Sequence, residues 1–381
     1  MSLFRRPSRS VVVLAAAVST LALAAPNAFA DGHRGDSGHA ALNVTQVNLV
    51  SDRSDVGASL VDPDVVNPWG LALGPTTPLW SANNGTDTAT LYVSAPGSTV
   101  ATKVPTVRVT FPDVPELPTG QVFNATAGFL LTSAANSSAR FIFSTLTGHI
   151  EAWSPVVDPL QGNAETRATV PGAVYTGLAL ATAASGPQLY AANFGKGTVD
   201  VFDTNFALQP ASTRSFHDRH LPDGYSPFGI ATLNGDIFVA YAQVDPVTHR
   251  NAVGRGLGIV DEYTPDGRLV SRVASHHTLN APWGLEIAPP SWGRLAGDLL
   301  VGNFGDGRIN VIEAEHGHHG DHFDGDFEGL LRNDATGHTL VIPGLWALLR
   351  GTATTGGTDS IFFSAGINDE KDGLIGVLRR P

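Results

Sequence analysis

Apolar residues in this chain come in short runs that alternate with polar positions every second residue, and the runs end in glycine, proline, asparagine or aspartate. "GTVDVFD" (197–203) and "GRINVIE" (307–313) show the pattern most plainly. Val199 and Val201, like Ile309 and Val311, fall on one side of an extended chain, with Asp200 and Asn310 on the other. An Asn-Phe-Gly-x-Gly stretch precedes each run, and its Asn and Gly tolerate the positive φ angles of a hairpin turn. No stretch keeps a long helical period. The pattern predicts an all-β chain of short strands joined by tight turns.

The strands recur in a larger unit. "VNPWGLALGP" (66–75) returns as "NAPWGLEIAP" (280–289). Between and beyond them lie "LPTGQVFNA" (117–125), "VYTGLALAT" (174–182), "YSPFGIATL" (225–233) and a degenerate "IPGLWALLRG" (342–351). Their marker glycines are Gly70, Gly120, Gly177, Gly229, Gly284 and, loosely, Gly344, at intervals of 50 to 60 residues. A second apolar phrase follows each first one. One such unit makes a small antiparallel sheet that cannot cover both its faces, and six arranged around an axis cover one another. The expected fold is therefore a six-bladed β-propeller. The segment 42–50, "LNVTQVNLV", is expected to close the ring by adding the outer strand to the last blade, whose own strands lie near 345–349, 361–364 and 373–378.

Composition narrows the function classes. The basic "MSLFRRPSRS", a short apolar run and "AFA" at 28–30 read as a secretory signal peptide on residues 1–30. Residues 31–41 read as a loose polar tail, leaving 42–381 as a single propeller domain. The chain has no cysteine, which excludes disulfides, thiol catalysis and zinc–thiolate sites. Its formal net charge is −12 and its basic residues are scattered, so no nucleic-acid partner is expected. No later run is long enough for a membrane span, and an extracellular location is expected.

The phrases "DPDVVNPWGLA", "PTGQVFN", "LYAANFGKGTVDVFD", "LNAPWGLEIAP", "LLVGNFGDGRINV", "GLWALL" and "FFSAG" resemble an uncharacterised family of secreted bacterial β-propeller proteins. That family is related to NHL-repeat propellers and to the superfamily of calcium-dependent phosphotriesterases, gluconolactonases and strictosidine-synthase-like proteins. The resemblance covers about residues 44–380 and implies six blades but no particular activity. The superfamily's lactonase-like enzymes carry a recurrent Asn before the marker glycine, among the ligands of a channel calcium. Here that position holds Trp69, Thr119, Thr176, Phe228 and Trp283, which departs from the calcium pattern.

Candidate chemistry falls in two groups. Trp69, Phe228 and Trp283, with Tyr175 and Trp346 one residue out of register, lie where inner strands begin, and can line one mouth of the channel or wedge between blades as core. Asn67 and Asn280 precede two of these tryptophans and can offer amides to a ligand or cap a turn. In "EHGHHGDHFDGDFEG" (315–329), His316, His318, His319 and His322 interleave with Asp321 and Asp324, a mixture that suits a His-bound divalent metal. Calcium at the channel centre is the other metal to weigh. "GDSG" (35–38) lies in the tail, far from any barrel, and is a chance match to a protease motif. These features favour a secreted binding scaffold for a carbohydrate, cell-wall component or protein ligand. The alternative is a calcium- or other metal-dependent hydrolase or lactonase acting at the central channel.

Overall fold

The computed structural model describes residues 42–112, 115–134, 137–156, 162–210, 215–314 and 323–381, with 314 and 323–325 described in backbone alone. The expected signal peptide (1–30) and residues 31–41 lie outside the described residues.

Strands β1 (Asn43–Ser51) and β2 (Leu60–Val61) come first. Blade one follows as β3 (Pro68–Ala72), β4 (Leu79–Asn83), β5 (Thr88–Val93) and β6 (Thr102–Thr110). Blade two is β7 (Pro118–Phe123), β8 (Phe141–Thr145), β9 (His149–Trp153) and β10 (Glu165–Thr169). Among the described residues blade three has three strands, β11 (Tyr175–Ala183), β12 (Gly186–Asn193) and β13 (Thr198–Phe202). Blade four is β14 (Tyr225–Leu233), β15 (Asp236–Gln243), β16 (Gly258–Tyr263) and β17 (Leu269–Ser275). Blade five is β18 (Pro282–Ile287), β19 (Leu299–Asn303), β20 (Ile309–Ala314) and β21 (Phe323–Leu330), followed by the short β22 (Arg332–Asn333). Blade six is β23 (Leu345–Arg350), β24 (Ser360–Ala365) and β25 (Leu374–Arg379).

The first strand of each blade contacts the first strand of the next, from β3 through β7, β11, β14, β18 and β23 back to β3. The fold is a six-bladed β-propeller. β1 pairs antiparallel with β25, Thr45 opposite Arg379 and Ser51 opposite Leu374, so the strand nearest the start of the fold completes its last blade. That is the ring closure expected from "LNVTQVNLV".

Among the described residues six apolar clusters hold the ring, five centred on a seam between neighbouring blades and one joining the seam of blades six and one to aromatic residues from other blades. Phe141, Phe143, Trp80 and Ala89 fill the seam of blades one and two, for example, and Ile150, Leu178, Leu189 and Phe202 that of two and three. Every two-faced sheet thus shares its core with both neighbours, which is why no blade is expected to stand alone.

The marker glycines mark close approach rather than turns. A Cβ at Gly70 would lie 2.5 Å from the Thr119 carbonyl oxygen, and at Gly229 2.2 Å from that of Trp283. Inner strands converge on the axis, so at these two positions backbone meets backbone and an added side chain would force the strands apart. The sixth marker differs from the sequence reading. A Cβ at Gly284 would meet the carbonyl oxygen of Trp346, which makes Ala347 the counterpart of the marker and puts Trp346 in register with Trp69 and Trp283. Gly344 instead occupies a turn at φ +67°.

Candidate functional site

The inner strands begin at one end of the channel, and there the aromatic side chains meet. Trp346 is fully buried at the centre of the group. Trp69 stacks on it with ring centroids 3.6 Å apart, and Phe304 stacks on it at 4.1 Å. Trp283 and Phe228 approach it at 5.8 Å each, steeply inclined. Phe194 packs on Phe228 at 5.4 Å. The rings form a plug across this end of the channel, and Trp69, Trp283 and Phe228 are each under 10% exposed.

Two of the plug's three indole N–H groups are tied to the protein, while that of Trp69 has no hydrogen-bond partner among the described residues. The indole Nε1 of Trp346 donates to Asn67 Oδ1 at 2.9 Å, and that of Trp283 to the Thr176 carbonyl at 2.9 Å. Asn67 Nδ2 donates to Glu370 Oε2 at 3.2 Å. Asn280 Oδ1 accepts the Gly254 N–H at 2.7 Å, and its own N–H donates to Asn303 Oδ1 at 3.1 Å. Of the seven channel-mouth candidates, Trp69, Phe228, Trp283 and Trp346 come together in the plug, and Asn67 and Asn280 brace its surroundings. Tyr175 stands apart, in the seam of blades two and three, where its hydroxyl donates to Asp200 Oδ2 at 2.9 Å. Burial beside that carboxylate pushes the Tyr175 pKa far up.

Phe194 and Phe304 were not singled out from sequence, although a signal was present. Both are the Phe of an Asn-Phe-Gly turn, whose Asn and Gly explain the hairpin and whose Phe the hairpin does not need. The metal candidates His316, His318, His319, His322 and Asp321 lie outside the described residues. Asp324 lies in β21, where only the backbone is described.

Beyond the plug, the channel holds a cavity of about 260 Å³. Its wall is mostly aliphatic, with Leu71, Val122, Leu180, Ile230, Leu285 and Leu349 among the lining residues. Three side chains there are polar: Thr232, whose hydroxyl donates to the Leu180 carbonyl at 3.0 Å, Gln121 and Glu286. Gln121, on β7, is 5% exposed, and its Nε2 donates to the carbonyls of Gly70 (2.7 Å) and Trp80 (2.9 Å). That pair of bonds orients the amide, and Oε1 has no hydrogen-bond partner among the described residues. Glu286, on β18, accepts the Arg350 N–H at 2.7 Å and the Ile287 N–H at 2.8 Å. Burial in the apolar wall outweighs these bonds and pushes its pKa up to about 7. Blades two and five are opposite members of the ring, so Gln121 and Glu286 come from opposite sides of the axis. Neither stands out in sequence, since each is a single amide or carboxylate in a largely apolar strand.

A second cluster lies off the axis. One ligand atom from each of Glu116, His149 and Glu151 lies within 4.8 Å of the other two, and a buried group of this composition can hold a metal ion. No helix among the described residues is long and apolar enough to cross a membrane.

No known protein-family profile matches the chain. It is 33% identical over 345 residues to the uncharacterised protein R648 of Acanthamoeba polyphaga mimivirus, covering 89% of this chain and 81% of that one. It is also 33% identical over 348 residues to L690 of the same virus, covering 89% and 86%. Among solved structures, selenomethionine-substituted virginiamycin B lyase from Staphylococcus aureus aligns with a TM-score of 0.50 at 11% identity, over 88% of this chain and 99% of that one. Likeness at that identity concerns the fold alone.

Proposed function

The chain belongs to the family of six-bladed propellers that includes the uncharacterised mimivirus proteins R648 and L690, and from that footing we propose that it works as a rigid binding scaffold. In this reading the protein acts outside the cell after loss of residues 1–30, and its ligand is a carbohydrate, a cell-wall component or a protein. The ligand enters at the channel end opposite the aromatic plug.

Gln121 carries the reading. A buried carbonyl oxygen without a partner costs about 1–3 kcal/mol unless something meets it, and this one belongs to a side chain lining a preformed cavity. A ligand hydroxyl or amide N–H would satisfy it. Glu286, with a pKa near 7, can take or give a hydrogen bond from the opposite wall. At about 260 Å³ the cavity has room for one sugar or one side chain. A larger ligand would insert a single group and rest the remainder on the loops around the mouth. The lining offers one carboxylate, Glu286, where a channel-centred metal hydrolase needs several converging ligands.

Thermal-shift measurements against monosaccharides, amino sugars and cell-wall fragments test the reading, run in parallel on the parent, Gln121→Leu and Leu349→Trp. A ligand that raises the melting temperature of the parent but of neither variant is expected. Binding that survives the filled channel would overturn the assignment. So would chelator-sensitive hydrolysis of a lactone or ester that Glu286→Gln abolishes. N-terminal sequencing of exported protein is expected to begin at Asp31.

A further inference from the structure

We propose that Glu116, His149 and Glu151 form a three-ligand site for a divalent transition-metal ion, Zn²⁺ foremost, where the connection from blade one enters blade two. The site is separate from the channel cavity and does not depend on the binding-scaffold reading.

The repeat shows that something unusual happens here. In blades one, three and five the second hairpin is closed by an amide. Asn83 Nδ2 donates to Thr90 Oγ1 (2.8 Å), Asn193 Nδ2 to Asp200 Oδ2 (2.8 Å), and Asn310 Nδ2 to Asn303 Oδ1 (3.2 Å). The pairing register puts Thr145, His149 and Glu151 of blade two at the same places as Asn193, Thr198 and Asp200 of blade three. Blade two has therefore exchanged the closing amide for a short hydroxyl, and set an imidazole and a carboxylate side by side on one face of β9. A buried position where blade two departs in this way from three other blades is a pointer to function.

The third group is brought in by a fixed turn. Glu116 lies two residues before β7, and Leu117 adopts φ +56°. Asp87 Oδ1 accepts the backbone N–H of Glu116 at 2.9 Å and of Leu117 at 2.6 Å, which locks the turn. The Glu116 carboxylate then reaches His149 Nδ1 at 2.8 Å, and Glu151 Oε1 lies 3.9 Å from the same nitrogen. A tetrahedral zinc with bonds of about 2.0–2.1 Å holds its ligand atoms about 3.3 Å apart. The two observed spacings straddle that value by about half an ångström, a shift that side-chain torsions absorb.

Burial and outer contacts fit as well. Both carboxylates are fully buried, while the His149 side chain is 17% exposed and marks the way in. The Thr147 hydroxyl donates to Glu116 Oε2, leaving Oε1 for the metal. The backbone N–H of His149 donates to Thr145 Oγ1 at 3.1 Å, and the hydroxyls of Thr145 and Thr147 bond each other at 2.7 Å. Such outer hydrogen bonds orient metal ligands. An imidazole with two carboxylates suits Zn²⁺ or a neighbouring transition metal better than Ca²⁺ or Mg²⁺, which take all-oxygen sets. A water would complete the coordination.

Calorimetric titration of chelator-stripped protein with Zn²⁺ tests the site. The background is a variant with His316, His318, His319 and His322 all changed to Ser, because those histidines can bind metal independently. One equivalent of Zn²⁺ is expected to bind in that background and to raise the melting temperature. His149→Ala, Glu151→Gln and Glu116→Gln are each expected to weaken binding at least tenfold, and Co²⁺ in the site is expected to show the visible absorption of tetrahedral coordination. The two glutamine variants keep side-chain size, so metal-free melting curves matching the background show that any loss is not unfolding. No saturable binding in the background, or undiminished affinity in His149→Ala, would overturn the proposal.

Discussion

Trp346 and Asn67 stand 279 positions apart in sequence, yet the indole Nε1 of one donates to the side-chain Oδ1 of the other at 2.9 Å. This bond links the last blade to the approach to the first. It also holds the central indole of the plug in place, where Trp69, Phe228, Trp283 and Phe304 surround it. The closure of the propeller and the sealing of its channel are thus one piece of packing.

Trp346→Ala is expected to cost about 3–5 kcal/mol, the range for removing a buried aromatic ring. It also strips Asn67 of a donor. Trp346→Phe keeps most of the stacking and should cost less than half as much. Urea unfolding of the two variants beside the parent checks the order. Equal losses would show that the hydrogen bond, not the rings, dominates.

Gly229→Ala places a methyl 2.2 Å from the Trp283 carbonyl oxygen, between two inner strands. The strands must separate, at a cost of about 2–3 kcal/mol. Gly235→Ala is the control. It sits at φ +94° in the β14–β15 turn with nothing within 4 Å of the new carbon, so only backbone strain of about 1 kcal/mol applies. A smaller loss at position 229 than at 235 would contradict the account of the marker glycines.

Stability should fall as pH rises from about 5 to about 8, in part through Glu286. Its folded pKa, about 7, lies above the ordinary value of 4.5. Between those values the folded chain keeps a proton that the unfolded chain has lost, so folding is favoured at the acid end and the advantage fades as pH rises. The full shift corresponds to at most about 3 kcal/mol. Asp261, also raised by burial, adds a slope of the same sign. That contribution is common to the parent and Glu286→Gln, so the difference between their stability–pH curves isolates Glu286. Superimposable curves would show that the carboxyl is ionised in the fold at neutral pH.

A chain beginning at Asp52 lacks β1 and leaves β25 as an open edge. It also loses Leu49 and Val50 from the seam of blades six and one. Such a chain is expected to aggregate or melt far below the parent, as judged by size-exclusion chromatography and calorimetry. A monomer of unchanged melting temperature would show that the last blade needs no added strand.

Much of the architecture was legible beforehand. Strand alternation, turn residues and the recurrent glycine are local signals, because a strand's faces and a hairpin's φ angles depend on near neighbours. The spacing of repeats then sets the number of blades. The sixth marker was misread as Gly344 because a turn glycine stood three residues before the true counterpart, Ala347. Only the approach of Gly284 to Trp346 decides between them.

The sequence by itself determined the fold class, the blade count and the closing strand, all of which follow from periodic patterns. The tertiary structure alone decided which polar residues share a cavity or a cluster. Gln121 and Glu286 lie 165 positions apart, and Glu116 lies more than thirty positions from His149, with no pattern tying either set together. Curling six sheets around an axis brings such distant residues near one another, and that proximity depends on the inward tilt of each strand, which side-chain alternation does not encode.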